Sequence, residues 1–244
     1  MFQSGHRRYD QRTIESDKAE NDDDPEPDSS WKGEDNWRYV LEDLSLANPK
    51  PTLDGEPSYE GIPQGLHDFT QPRWTDVDIR RYAYWSVLAG ACGFTYGHNA
   101  IMQMYKPQFA PGSFGVSETW EQALSAPGAG QMQHLRNLME NLDYRNGTHA
   151  PEILVGNPGK KYRRLLANNG PRYVLVYAYT PQPITVDLDR VSPGSADIRV
   201  QWLNPMDGMV SEAGIIPAGG KHCFNPPADA GTGPENDRLL LLTW

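Results

Sequence analysis

The sequence predicts an α/β region over residues 1–150 followed by an all-β region over residues 151–244. Up to about residue 143, helical and strand patterns alternate with short connections, as in a parallel α/β sheet. From Pro151 onward, short strand patterns follow one another without a helix, as in an antiparallel β-sandwich. The boundary is placed at residues 146–151.

The first region begins its regular structure with a helix, because Trp37, Val40, Leu41 and Leu44 recur at helical spacing. A second helix begins at Thr75, where Asp78 is placed to form a capping box. The predicted elements are a helix over 35–47, a strand over 51–56, a helix from 75 to about 91, a short buried strand within 90–99, and helices near 117–125 and 130–143.

The second region is predicted to contain seven strands, each bounded by Pro, Gly, Asn or Ser residues that favour turns. Asn204-Pro205-Met206-Asp207-Gly208 is one such turn sequence. The predicted strands cover residues 153–155, 162–167, 173–179, 184–188, 198–203, 222–224 and 239–243. No internal repeat is present.

The net charge of −10 makes nucleic acid an unsuitable partner, since phosphate binding requires clustered Lys and Arg. Residues 13–30 hold eight acidic residues against Lys18, a net charge of −7, so the rest of the chain carries −3. This segment has almost no apolar residues and is predicted to be a mobile loop. A metal site at residues 22–24 is the alternative.

The sequence shows no apolar run long enough to span a membrane and no signal peptide. Cys92 and Cys223 each lie in an apolar context and are predicted to be buried free thiols. The histidines at 67, 134, 149 and 222 show no ligand spacing. We therefore expect neither a metal site nor a cofactor, and the compartment is not predicted.

The segment PTLDGEPSYEGIP at residues 51–63 carries two carboxylates, Glu56 and Glu60, where an apolar run opens into a Gly/Pro-rich loop. A barrel of the α/β type presents catalytic carboxylates at strand ends in this way. Aromatic residues that follow, Tyr59 and Trp74 among them, are suited to stacking on a sugar ring. The alternative is a surface loop with two solvated glutamates.

Several long motifs resemble those of the apiosidase-like glycoside hydrolases. They are FQSGHRRYDQR at 2–12, PTLDGEPSYEGIP at 51–63, RRYAYWSVLAGACGFTYGHNAIMQMY at 80–105 and PGAGQM at 127–132. The sequences WLNPMDG, FNPP and DRLLLLTW resemble the C-terminal β-sandwich of those proteins, which is labelled as collagen-binding. The resemblance covers nearly the whole chain outside the acidic segment.

The resemblance implies a retaining glycosidase acting on an oligo- or polysaccharide. It implies that residues 1–150 are strands six to eight of a (β/α)8 barrel, in which Glu56 is the nucleophile and Glu60 the alternative nucleophile. The residues expected to bind substrate are Gln3, His6, Tyr59, Tyr96, His98 and Asn99.

For three of these residues a second role stays open. Tyr96 donates to the nucleophile or packs in the core, and His98 orients Glu56 or is a buried histidine satisfied by backbone. His6, next to Arg7 and Arg8, recognises a hydroxyl or forms a salt bridge.

Retaining hydrolysis needs a second carboxyl group about 5–5.5 Å from the nucleophile. In the barrel that the resemblance implies, that acid/base residue follows the fourth strand, which this chain lacks. We therefore expect a fragment of a longer enzyme, inactive alone and prone to self-association through open barrel edges. Intact members of the family are expected to be secreted or periplasmic. The alternative is a non-catalytic carbohydrate- or matrix-binding protein.

Overall fold

The computed structural model describes residues 1–5, 36–109, 111–191, 194, 197–228, 230–231 and 233–244. The chain divides into two compact units. The first comprises Met1–Ser86 and Ala91–Gly130, and the second comprises Val87–Gly90 and Gln131–Trp244. The boundary predicted at 146–151 stays a prediction. The acidic segment 13–30 and His6 lie outside the described residues.

The helices are α1 (Asn36–Leu44), α2 (Asp76–Leu88), α3 (Asn99–Met102), α4 (Trp120–Ala123) and α5 (Pro127–Asn141). The start of α2 is fixed as predicted, because the Asp78 carboxylate accepts hydrogen bonds from the Thr75 N–H at 2.8 Å and from its hydroxyl at 2.9 Å. A reciprocal capping box between Thr119 and Gln122 begins α4. Short polar side chains thus set both helix starts.

The predicted barrel strands are absent from the described part of the first unit. Phe2 and Asp54 form a single parallel bridge, and Asp54 and Phe94 form another, but neither extends into a strand. The predicted fold class, part of a (β/α)8 barrel followed by a sandwich, is therefore wrong. The apolar run at Leu53 is too short for a ladder, because Pro51, Gly55 and Pro57 bracket it. The predicted self-association stays a prediction.

The second unit contains two antiparallel sheets of unequal size. The larger has the order β1-β2-β3-β8-β5-β6, and the smaller pairs β4 with β7. The strands are β1 (Thr148–His149), β2 (Leu165–Gly170), β3 (Tyr173–Ala178), β4 (Ile184–Asp187), β5 (Ile198–Leu203), β6 (Val210–Ile216), β7 (Lys221–Phe224) and β8 (Arg238–Thr243).

Side chains from both sheets form one hydrophobic core in the second unit. Val174 and Val176 of β3 and Leu240 and Leu242 of β8 contribute from the larger sheet, while Val186 contributes from the smaller. Strand β3 is buried along its whole length, and β8 is buried except at Thr243. This double-sided burial explains why both strands read as continuous apolar runs rather than as alternating patterns.

Several local predictions differ from the structure. Strand β6 was missed because Glu212 and Gly214 interrupt its apolar residues, and its residues are largely exposed at the edge of the sheet. The strand predicted at 153–155 is replaced by a 3₁₀ turn, Pro151–Ile153, and one isolated bridge. Cys92 and Cys223 are free thiols, but both are exposed rather than buried.

Among the helices that the structure describes, none is both long enough and apolar enough to cross a membrane.

Candidate active site

The structure brings Gln3 and Glu56 together, although 53 residues separate them. Residues 1–5 lie alongside residues 53–56, since the Phe2 N–H donates to the Leu53 carbonyl at 3.0 Å and the Gly5 N–H donates to the Glu56 carbonyl at 3.1 Å. This pairing directs the Gln3 side-chain amide to Oε2 of Glu56. Glu56 is half-buried. The amide therefore orients a carboxylate that keeps access to solvent.

Asp54 lies two residues before Glu56 and is fully buried. Its carboxylate accepts the Ser4 hydroxyl at 2.8 Å and the Ser86 hydroxyl at 3.4 Å. Burial raises the pKa of Asp54 to about 6, against the opposing effect of hydrogen bonds that include Asn36. Through these hydrogen bonds Asp54 connects its own segment, which carries Glu56, to the segment that carries Gln3 and to α2.

Glu60 is only 7 % exposed, unlike Glu56. Its Oε2 accepts the Tyr96 hydroxyl at 2.8 Å and the Gly128 N–H at 3.1 Å, in the first turn of α5. Burial raises the pKa of Glu60, and repulsion from Asp76 adds to this, while the two hydrogen bonds act in the opposite direction. Glu60 is a tethered carboxyl group with an increased tendency to hold its proton.

Two glycines permit close contacts around these carboxylates. A Cβ on Gly128 would lie 2.3 Å from Oε2 of Glu60, so only glycine leaves room for the carboxylate at this turn. A Cβ on Gly97 would lie 2.3 Å from the Tyr59 ring. The ring of Tyr59 therefore lies directly on the backbone at Gly97. Burial, followed by the charges of Glu56 and Asp54, raises the pKa of Tyr59, which favours its protonated, donating form.

His98 is buried and begins α3, where its Nδ1 accepts the Ala100 N–H at 3.1 Å. An accepting Nδ1 places the proton of the neutral imidazole on Nε2, which lies 3.5 Å from Oε1 of Glu118. Burial lowers the pKa of His98, with Glu118 opposing. His98 is thus a neutral donor directed at Glu118.

The side chain of Asn99 supports the backbone around the site. Its Nδ2 donates to the Gly61 carbonyl at 3.1 Å and to the Phe114 carbonyl at 2.9 Å, and its Oδ1 accepts from Gln103. With its amide groups used in this way, Asn99 is better suited to fixing loops than to binding sugar. Its assignment as a substrate-binding residue stays a prediction.

The predicted residues therefore form two groups. Gln3, Tyr59 and Glu56 lie near one another, and Tyr96 bonds to Glu60 rather than to Glu56. Sequence reasoning missed three residues that shape the site: Asp54, Gly128 and Glu118. Asp54 could have been found because it lies two residues before Glu56, and Gly128 because it lies in the motif PGAGQM. Glu118 gave no signal in the sequence.

Among the described residues, no group of three or more His, Cys, Asp and Glu side chains could hold a metal ion. The site offers carboxylates, amides, phenols and an imidazole. That set can bind hydroxyl groups and perform attack by a carboxylate, which is the chemistry of glycoside cleavage. That the site needs neither a metal nor a cofactor stays a prediction.

Comparison with known proteins places this chain among the glycoside hydrolases. A family model described as the apiosidase-like catalytic domain matches residues 1–146, and one described as "Putative collagen-binding domain of a collagenase" matches residues 150–243. The chain belongs to the apiosidase-like family, as its motifs indicated.

Solved structures agree with this membership. One, titled a glycoside hydrolase, is 40% identical with a TM-score of 0.86, and the match covers 100% of this chain and 52% of that one. A glycoside hydrolase family 5 protein from Bacteroides vulgatus is 38% identical with a TM-score of 0.86, covering 100% of this chain and 50% of that one. The chain thus spans about half the length of these structures. No curated protein matches it.

Proposed function

We propose that the protein hydrolyses glycosidic bonds in an oligo- or polysaccharide by a retaining mechanism, with Glu56 as the nucleophile. The observation that carries the proposal is the contrast between the two candidate glutamates. Glu56 is half-buried and oriented by the Gln3 amide, whereas Glu60 is enclosed and bonded to Tyr96 and Gly128. Family membership supports the reaction class.

A nucleophile must be ionised and must reach the anomeric carbon. Burial raises the pKa of Glu60, which favours the protonated form and weakens its oxygen as a nucleophile. Displacing Glu60 toward a sugar would also break two hydrogen bonds. Glu56 is half-buried and oriented by the Gln3 amide, so it is better placed to reach that carbon. Glu60 serves as a positioning residue that holds the loop after it.

In the proposed first step, an oxygen of Glu56 attacks the anomeric carbon and forms a glycosyl ester. The bond between that carbon and the departing oxygen breaks, and its electron pair leaves with the oxygen, which takes a proton from the second carboxyl group that retaining hydrolysis requires and that we assign to no residue of this chain. Water then attacks the same carbon and gives its proton to that second group, now a carboxylate, which releases the sugar and regenerates the Glu56 carboxylate. Gln3 orients the attacking group, and the Tyr59 hydroxyl can donate a hydrogen bond beside it.

The assignment can be tested without a general acid by using sugars with an activated leaving group. We would incubate the chain with 2,4-dinitrophenyl 2-deoxy-2-fluoroglycosides, because dinitrophenolate departs as an anion without protonation. The panel would include an apioside, since the family description names that sugar. Peptide mass spectrometry should find the covalent sugar on Glu56.

Two matched variants define the outcome. Glu56→Gln should lose the label, because an amide keeps the shape but is not a nucleophile, while Glu60→Gln should keep it. A label on Glu60, or labelling that survives in Glu56→Gln, would contradict the assignment. A chain that forms no adduct with any member of the panel would count against the proposed reaction.

A further inference from the structure

Three aromatic side chains close to the Glu60 backbone are exposed or half-buried, and we call them the aromatic platform: His67, Phe69 and Phe114. Phe69 is 61 % exposed, His67 is exposed and Phe114 is half-buried. The rings of His67 and Phe114 lie 5.6 Å apart, centroid to centroid. Packing in a hydrophobic core does not explain so much exposed aromatic surface at one place.

The platform is continuous with the candidate site through a short hairpin that follows Glu60. The Trp74 N–H donates to the Ile62 carbonyl at 2.9 Å, and the Gln64 N–H donates to the Pro72 carbonyl at 2.9 Å. The loop between these arms, residues 65–71, carries His67 and Phe69. Two of the three platform residues therefore follow Glu60 closely in the chain.

A tight turn presents Phe114. The Val116 N–H donates to the Ser113 carbonyl at 3.1 Å, and the two central residues have positive φ, 53° at Phe114 and 58° at Gly115. Such turns favour Asn or Gly at the first central position. Phenylalanine there is a strained choice that turn formation does not explain.

Side chains from two other segments fix this turn. The Gln103 amide bonds to both the N–H and the carbonyl of Ser113, and Asn99 donates to the Phe114 carbonyl. Arg73 donates to the carbonyls of Gly115 and Gly61. The same guanidinium thus joins the turn to the residue directly after Glu60.

The second part of the platform is also held in place. Asp68 accepts hydrogen bonds from the Thr70 hydroxyl at 2.5 Å and the Gln71 amide at 3.0 Å, which closes the turn that carries Phe69. The Phe69 ring lies against Gly115, where a Cβ would come within 3.0 Å of Cδ1. The rings of Phe69 and Phe114 are therefore held by the surrounding structure before any ligand binds.

We propose that the aromatic platform is a carbohydrate-stacking surface, which binds a sugar ring of the substrate beyond the unit attacked by Glu56. This rests on the proposed function, since it adds a subsite to the same site. Aromatic faces attract the C–H face of a pyranose or furanose ring, and preorganised rings lose little entropy on binding. Continuity with Glu60 through Gly61 and Arg73 favours a saccharide as the occupant.

Binding can be measured separately from catalysis by affinity electrophoresis in gels containing pectin, arabinoxylan, xyloglucan or β-glucan. The full chain should be retarded by at least one of these polysaccharides. Phe69→Ala should weaken that retardation roughly 3- to 10-fold, as expected for loss of one stacking ring. Phe69→Tyr should retain it, because the ring remains.

Phe109→Ala is the matched control, since Phe109 is 77 % exposed and packs near Lys106 rather than in the platform. It should leave retardation unchanged. Phe114→Asn supplies a second test, because asparagine suits the turn while the ring is lost. That variant should weaken retardation without lowering the melting temperature by more than Phe109→Ala does.

Equal retardation of wild type and Phe69→Ala, or no retardation of the wild type in any gel, would overturn the proposal that the aromatic platform binds a sugar ring. The two results are independent, because retardation reports binding of polysaccharide and labelling reports attack by the nucleophile. Loss of labelling at Glu56 with intact retardation would therefore count against the proposed reaction alone. Loss of retardation with intact labelling would count against the platform alone.

Discussion

The N–H of Gly128 donates a 3.1 Å hydrogen bond to Oε2 of Glu60, 68 residues earlier in the chain. The bond lies in the first turn of α5, where the helix dipole favours a negative charge. It opposes the rise in the pKa of Glu60 that burial causes. A glycine in the first turn of a helix therefore positions a buried carboxyl group.

Gly128→Ala should disturb this contact. Its Cβ would lie 2.3 Å from Oε2 of Glu60 and 2.9 Å from the Tyr96 ring, so the carboxylate and the ring must shift. We expect the free energy of unfolding to fall by about 1–3 kcal/mol. Urea denaturation measures the change.

Gly130→Ala is the matched control, because it lies in the same turn, is exposed and has no atom within 4 Å of a new Cβ. Alanine there should raise the free energy of unfolding by up to about 1 kcal/mol, through its higher helix propensity. Equal effects of the two substitutions would mean that the Glu60 contact contributes nothing.

Tyr96→Phe removes the second hydrogen bond to Glu60. The free energy of unfolding of the variant should fall by about 1–3 kcal/mol, since a buried carboxyl group is left with one hydrogen-bond donor fewer. Because the Tyr96 bond lowers the pKa of Glu60, its loss raises that pKa further. The variant's stability should therefore fall more steeply than that of the wild type as pH rises above 4.5.

Denaturation across a pH series checks the Tyr96 prediction. Tyr144→Phe is the control, because it removes a hydroxyl from a tyrosine that is 38 % exposed. Its pH dependence should match that of the wild type. A Tyr96→Phe variant with the slope of the control would argue that Tyr96 does not influence the ionisation of Glu60.

The sequence predicted the parts of the fold that have strong local signals. Thr75 and Asp78 marked the start of α2, and the apolar runs of β3 and β8 were located within a residue or two. The exposed edge strand β6 has no such signal, since it pairs only with β5. The barrel was inferred from resemblance, and short segments around Leu53 do not form its strands.

The candidate site was predictable in composition but not in pairing. Glu56, Glu60 and Tyr96 were singled out from the sequence, but the expected Tyr96 contact with the nucleophile is instead a contact with Glu60. Glu118 was missed because it meets His98 only through tertiary structure. Sequence reveals which side chains suit a reaction, while long-range packing decides which of them meet.

Asp54 should make the stability of the first unit depend on pH. Its folded-state pKa is about 6, above the ordinary value of 3.8, so the folded state holds a proton that the unfolded state has lost. This contribution is fully present below about pH 4 and is lost as pH rises through about 6. The shift corresponds to roughly 3 kcal/mol.

Asp54→Asn should remove this pH dependence, because the amide does not titrate. As the pH rises from about 4 to about 6, the free energy of unfolding of the variant should therefore increase relative to that of the wild type. The test is urea denaturation at half-unit pH steps. A constant difference across that range would show that Asp54 does not titrate in the folded protein at about pH 6.

His149 should act in the opposite direction in the second unit. Burial, with repulsion from Arg164, lowers its pKa from 6.5 to about 4 in the folded state. The unfolded state therefore binds a proton first, and stability that is present above about pH 6.5 is lost as pH falls toward 4. His149→Gln should flatten this loss, and NMR titration of the wild type should find one imidazole, absent from the variant, with a midpoint near pH 4. An imidazole at His149 that titrates near pH 6.5 would contradict the prediction.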